Sequence, residues 1–164
     1  MRKAEAIPSR IFTLRQLENQ VHAWRVAGLT IAFTNGVFDL LHEGHIFSLS
    51  QAASEADVLV VAVNGDASVK RLKGSSRPVN NENSRALLLA SLVMVDAVVI
   101  FEEDTPIEVV KALLPDVMVK GGDYKPEHIA GALEVLANGG RVVINPLIKG
   151  ISTTQIIQSL QKGM

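Results

Sequence analysis

The sequence predicts an α/β fold: a single domain built on a doubly wound sheet of five parallel strands. Three observations carry this expectation. Apolar strand-like runs and helical patterns alternate along the whole chain, which calls for a parallel sheet covered on both faces. The run Val58-Leu59-Val60-Val61-Ala62-Val63 is continuously apolar and rich in β-branched residues. Continuity of that kind, without alternation, marks a strand buried on both sides. Finally, the polar and Gly-containing segments follow strands, so they would share one rim outside the strands' carboxyl ends, where such sheets bind ligands.

Each element has its own local cause. Thr13 with Gln16 three residues later fits a capping box. Leu14, Leu17, Val21 and Trp24 then recur at helical spacing, and Gly28 ends the run. Ile31 to Thr34 reads as the first strand, and Ile46 to Ala56 as the helix after it. Val58 to Val63 is the second strand. Ala67 to Leu72 is a short helix, Lys73 to Asn83 a polar loop, and Ser84 to Met94 a helix. Ala97 to Phe101 is the third strand. Thr105-Pro106-Ile107-Glu108 opens a helix with a capping residue and a first-turn proline, and Pro115 closes it. Val117 to Lys120 is the fourth strand, Pro126 to Ala137 a helix closed by Asn138-Gly139-Gly140, and Arg141 to Ile144 the fifth strand. A last helix runs from Gln155 to Gln161. The domain spans residues 1–164, with a helical lead-in over 1–28 and an α/β core over 29–162.

Composition narrows the function. The chain has 164 residues, of which 48% are hydrophobic, enough for one buried core. Aromatic residues are only 4%, so aliphatic side chains must fill that core. A formal net charge of −1 gives no general surface for nucleic acid or an anionic membrane. The absence of cysteine removes disulfides, thiolate metal sites and thiol nucleophiles, and suits a reducing compartment. No stretch has the length and apolarity of a signal peptide or a transmembrane helix. A soluble cytoplasmic protein is the expectation.

The chemistry concentrates in Thr34-Asn35-Gly36-Val37-Phe38-Asp39-Leu40-Leu41-His42-Glu43-Gly44-His45. This stretch reads as strand, tight loop and helix start. A helix N-terminus offers unpaired N–H groups and partial positive charge, both suited to phosphate. Gly44 lets a ligand approach the backbone. His42 and His45 can donate imidazole N–H groups to phosphate oxygens beside those amides. Asn35, Gly36 and Phe38 would shape the loop under a nucleotide, and Asp39 would fix that loop by bonding backbone N–H groups.

Other rim segments offer candidates with plainer readings beside them. Lys70, Arg71, Lys73, Arg77 and Arg85 are cations near the rim. Lys70 and Arg71 read as a solvated face, whereas Lys73, before Gly74 and a loop, is placed to close over phosphate. Arg85, early in a helix, opposes the helix dipole. Ser152 and Thr153 precede the last helix and serve either as caps or as phosphate donors. Gly121-Gly122-Asp123 either contacts ribose or base, or forms a plain turn. No Gly-x-Gly-x-x-Gly follows the first strand, and no Gly-x-Ser-x-Gly elbow is present, which disfavours dinucleotide oxidoreductases and α/β-hydrolases. Four histidines without cysteine give no convincing protein-only metal site. Mg²⁺ held mainly by phosphates and water remains compatible.

Gly36-Val37-Phe38-Asp39, followed by His42-Glu43-Gly44-His45, resembles the signature of the HIGH-motif nucleotidyltransferase superfamily, whose sheet is Rossmann-like. The resemblance extends through Val61–Gly74, Ser76–Asn80, Phe101–Pro106, Val119–Pro126 and Ser152–Ile157. Together these segments resemble the adenylyltransferase module of bacterial ADP-heptose synthases, over roughly Thr30 to Leu160. The resemblance implies transfer of AMP from ATP to D-glycero-β-D-manno-heptose 1-phosphate, giving ADP-heptose and pyrophosphate for lipopolysaccharide inner-core assembly. It implies that Phe38, His42, His45, Asp123, Ser152 and Thr153 serve ATP. Asn64, Asp66, Lys73 and Arg85 would serve the transferring phosphates or the heptose phosphate. Many members fuse this module to a sugar kinase, for which 164 residues leave no room, so a stand-alone version is expected. Relatives are often dimeric, so a homodimer is expected too. Adenine as the base comes from the resemblance alone. Neighbouring readings are cytidylyl transfer to a polyol phosphate, flavin adenylylation, and a nucleotide-binding module without turnover.

Overall fold

A sequence that alternates buried strands with amphipathic helices can hide its apolar surface only by layering helices on both faces of a sheet. The computed structural model describes residues 6–122, 124–146, 148 and 150–162 and has that arrangement. Its strands are β1 (Ile11–Phe12), β2 (Ile31–Gly36), β3 (Val58–Asn64), β4 (Ala97–Phe101), β5 (Val117–Gly121) and β6 (Arg141–Asn145). Its helices are α1 (Leu14–Val26), α2 (Glu43–Ala53), α3 (Asp66–Lys73), α4 (Glu82–Ala90), α5 (Ile107–Leu113), α6 (Ala132–Ala137) and α7 (Thr153–Lys162).

The six strands are all parallel, in the order β1-β4-β3-β2-β5-β6. The expected five-stranded sheet is therefore corrected to six. The extra strand pairs Ile11 with Val98 and Phe12 with Val99 at the sheet edge. Two residues are too few to show a period, so only pairing with β4 reveals the strand.

β3 is buried at every position and sends alternate side chains to opposite faces. Val60 and Ala62 join Leu17 and Val21 of α1, Val110 and Leu113 of α5 and Val135 of α6 in one apolar cluster. Leu59, Val61 and Val63 join Leu49 of α2 and Ala86 and Leu89 of α4 in the other. The lead-in helix α1 is thus part of the core. Its capping box is present: Gln16 N–H donates to Thr13 Oγ1, and Thr13 N–H donates to Gln16 Oε1.

Several helix boundaries move. α2 begins at Glu43, so the second histidine lies in its first turn. α4 begins at Glu82 because Asn81 caps it, its Oδ1 accepting from Ser84 N–H. The expected helix over Pro126–Ala137 is broken into a single 3-10 turn, Pro126–His128, and α6. Gly131 lies between them at φ +91°, with Val110 so close that a Cβ would stand 2.9 Å from it. Among the described residues, no helix is long and apolar enough to cross a membrane.

Candidate active site

From β2 the chain steps outward through β3 and β4, then returns to pair β5 on the other flank of β2. The direction of winding therefore reverses between β2 and β5, and their carboxyl ends part to leave a crevice. A cavity of about 320 Å³ lies there. Its walls include Asn35, Gly36 and Phe38 after β2, His42, Gly44 and His45 at the start of α2, and Lys120 at the end of β5. Ser152 and Thr153, at the start of α7, close the far side. Two helices of 11 and 10 residues thus begin at one cavity, and their unpaired amide ends give it a positive bias.

The local sequence explains the shape. The Phe38 backbone sits at φ +49°, a left-handed conformation that costs a non-glycine residue about 1 kcal/mol. The Phe38 ring is buried, packed against His45 with centroids 5.3 Å apart. A Cβ on Gly36 would stand 3.0 Å from that ring, so the glycine is what admits it. The His42 and His45 rings stack at 3.9 Å. A Cβ on Gly44 would likewise stand 3.0 Å from the His42 ring. The two glycines of the motif therefore make room for aromatic rings as well as for a ligand.

Electrostatically the imidazoles are poised as neutral groups. Burial lowers the His45 pKa to about 4, helped by the neighbouring His42, against a smaller opposing pull from the Leu40 carbonyl. Burial lowers that of His42 as well, against the opposing charge of Glu43. Each ring holds a buried Nδ1 with no hydrogen-bond partner among the described residues. A buried polar atom left unpaired is costly, and a phosphate oxygen would relieve that cost.

Lys120 lines the cavity too, and sequence reasoning did not single it out. Its Nζ donates to Asn35 Oδ1 at 3.1 Å and to the Asn35 carbonyl at 3.3 Å. Burial depresses its pKa below the usual lysine value. The available signal was a lone cation closing the otherwise apolar strand Val117–Gly121, at the end that faces the rim. The Ser152 hydroxyl accepts from Gln155 N–H as a helix cap, and Thr153 Oγ1 donates to the Leu40 carbonyl, while both residues line the cavity.

Asn64, Asp66, Arg85 and Lys73 do not line this cavity. Arg85 is fully buried and donates to the carbonyls of Val37, Asn64 and Asn80 and to Asp66 Oδ1, at 2.7 to 2.9 Å. Asn64 is buried and donates to Ser68 Oγ. Asp66 faces Arg85, and its own N–H donates to Glu82. These residues form a tie that holds three rim loops together. Lys73 lies in the last turn of α3, exposed and about 10 Å further from the rim than Asp66, at 1.5 Å per residue. Asp123 lies outside the described residues.

Asp39 takes the loop-fixing role anticipated for it. Its buried carboxylate accepts from Val79 N–H, Asn80 N–H and the Arg77 guanidinium. Burial pushes its pKa up, but the two amides and Arg77 outweigh burial and hold it below the usual value. Gly65 lies under the Glu102 carboxylate, which leaves no room for a Cβ at that position.

A crevice at the switch point of a parallel sheet, faced by two helix starts, defines a Rossmann-like nucleotide-binding class of α/β protein. The chain belongs to the cytidylyltransferase-like family, whose model matches residues 33–159. It is 56% identical over 144 residues to the bifunctional protein HldE of Hyphomonas neptunium, covering 88% of this chain and 30% of that protein. It is 50% identical over 161 residues to the bifunctional protein HldE of Rhodospirillum rubrum, covering 98% of this chain and 32% of that protein. The chain therefore spans about a third of the length of the curated relatives it matches. A crystal structure of the lipopolysaccharide core biosynthesis protein from Thermoplasma volcanium superposes with a TM-score of 0.60 at 32% identity, covering 76% of this chain and all of that one.

Proposed function

We propose that this chain is a nucleotidyltransferase that joins the AMP part of ATP to D-glycero-β-D-manno-heptose 1-phosphate. The observation that carries the reading is the convergence of two neutral imidazoles with unpartnered nitrogens, two helix starts and Lys120 on one switch-point cavity. An acceptor phosphate oxygen attacks the α-phosphorus of ATP, and the bond from that phosphorus to the β-bridging oxygen breaks. Pyrophosphate leaves with the bonding electrons, and ADP-heptose remains. Such a reaction asks for positioning and charge neutralisation more than for covalent help.

His42 and His45 donate to oxygens that gain charge as the pyrophosphate departs. The amides at the starts of α2 and α7, with Ser152 and Thr153, hold the β- and γ-phosphates. Asn35, Gly36, Phe38 and Gly44 shape the floor. The cavity's hydroxyl, amide and imidazole donors, with no carboxylate among the described lining residues, fit a Mg²⁺ held mainly by phosphates and water. That ion supplies charge neutralisation when bound. A homodimer in the cytoplasm completes the reading. The likeness to HldE proteins and to a lipopolysaccharide core biosynthesis protein supports the choice of acceptor.

The test is turnover. Purified protein with ATP, Mg²⁺ and heptose 1-phosphate is expected to release pyrophosphate, with CTP a poor substitute for ATP. A folded sample that releases none ends the proposal.

A further inference from the structure

Phe38 is one of two non-glycine residues at positive φ among the described residues. A bulky residue in that conformation persists only where its surroundings over-determine it. The carbonyls on either side of Phe38 are both held. Val37 O accepts from Arg85 Nη1 at 2.8 Å, and Asp39 O accepts from Asn80 Nδ2 at 3.0 Å, 41 residues along the chain. Asn80 also joins these two anchors to each other. Its N–H donates to Asp39 Oδ1 at 2.9 Å, and its carbonyl accepts from Arg85 Nε at 2.9 Å. A ring of hydrogen bonds through Asp39, Asn80, Arg85 and Val37 thus closes around the Phe38 backbone. Asn80 itself is not among the residues that line the cavity. Phe38 does line it, with its ring 5.3 Å from that of His45.

We infer that the Asn80 side chain is a positioning element of the site: through the Asp39 carbonyl it holds Phe38 left-handed, and Phe38 in turn sets the His45 ring against the transferring phosphates. This role rests on the nucleotidyltransferase reading, and Asn80 touches no reacting atom. The main-chain bonds of Asn80 could be made by any residue with an N–H, so the amide Nδ2 is what asparagine adds. It is the one donor to the Asp39 carbonyl among the described residues. That carbonyl shares its peptide plane with Leu40 N–H, and the Leu40 carbonyl receives Thr153 Oγ1 at 3.3 Å across the cavity. Without the amide, the peptide after Asp39 is free to turn, and Phe38 can relax toward an unstrained φ. The ring would then withdraw from His45. Group transfer is sensitive to such shifts, since a misplacement of about 1 Å can cost on the order of a hundredfold in rate.

The test sets Asn80→Ala beside Asn80→Gln, which keeps an amide donor on a longer arm. Both retain the main-chain bonds to Asp39 and Arg85, so both should fold with a modest fall in melting temperature. In Asn80→Ala, kcat is expected to fall about tenfold, with the KM for ATP and for heptose 1-phosphate each within about twofold. Asn80→Gln should recover most of that loss. In NMR spectra of the ligand-free protein, the His45 ring signals carry the ring current of Phe38. They should move in Asn80→Ala, while those of His22, on α1 at the opposite face of the sheet, stay in place. Wild-type kcat in folded Asn80→Ala overturns the assignment and leaves the function standing. A rise in either KM that accounts for the whole loss also overturns it, because Asn80 would then bind substrate. So does a fall in kcat with unmoved His45 signals, because the effect would not run through Phe38. Should Asn80→Ala fail to fold, Asn80→Ser takes its place in every measurement, and failure of both makes the residue scaffold only. If the wild type itself releases no pyrophosphate, the function falls and this role falls with it.

Discussion

The rim of the sheet is not uniform around β2. On the β3 and β4 side, Asp39, Asn64, Asp66, Arg77 and Arg85 are bound to one another and to backbone carbonyls and amides. On the β5 and α7 side, two imidazoles keep unpartnered nitrogens, and a half-buried lysine bonds only the side chain and carbonyl of Asn35 among the described residues. Both regions are polar, and both lie where ligands bind in sheets of this type. The difference teaches how to tell scaffold from site: groups with satisfied bonds hold the loops, and groups left unsatisfied await a ligand.

The largest expected effect tests the scaffold side. Arg85→Met should lower stability by about 3 kcal/mol, because it leaves three carbonyls and the partly exposed Asp66 carboxylate without their buried donor. Urea unfolding measures it. A loss under about 1 kcal/mol, with a raised acceptor KM, would break the comparison and return Arg85 to the site. Next comes the open side. His42→Ala should cut kcat about a hundredfold, with a modest change in ATP affinity and little loss of stability. An equal loss in ATP affinity without a fall in kcat would mark ground-state binding only.

The smallest effect sharpens the comparison through pH. His45 is held neutral in the fold to about pH 4, against an ordinary value of 6.5. Between those values the unfolded chain binds the extra proton and the folded chain does not. Stability is therefore full above about pH 6.5 and declines as the pH falls toward 4, by less than about 1.4 kcal/mol per unit given the solvent at the cavity mouth. His45→Gln should flatten this slope in denaturation curves taken across the window. Asp39 acts with the opposite starting charge. Its lowered pKa gives stability that is lost only as the pH falls below its ordinary value of 3.8. The two regions should thus titrate in separate windows, and overlap of the two would count against the separation.

How much of this was legible along the chain follows from the range of the forces involved. Alternation and periodicity are local, so the parallel α/β class and five of the strands could be read from runs such as Val58–Val63, and the loop that lines the cavity from glycine and histidine spacing at Gly36–His45. Boundaries moved by a few residues where a cap such as Asn81, or a left-handed glycine such as Gly131, settled a local competition. β1 stayed hidden because its two residues acquire meaning only beside β4.

The sequence by itself determined which elements form, which faces they bury and which residue types reach the rim. Only the tertiary structure decided which of those polar groups remain available. Arg85, in the first turn of α4, and Lys120, at the end of β5, are both cations that reach the rim, and their sequence neighbours do not say which is bound. Arg85 meets acceptors 19, 21 and 48 residues away and is bound by them, while Lys120 meets Asn35 across 85 residues at the edge of a cavity. Partners that distant come together through packing, so their pairing cannot be read from local sequence.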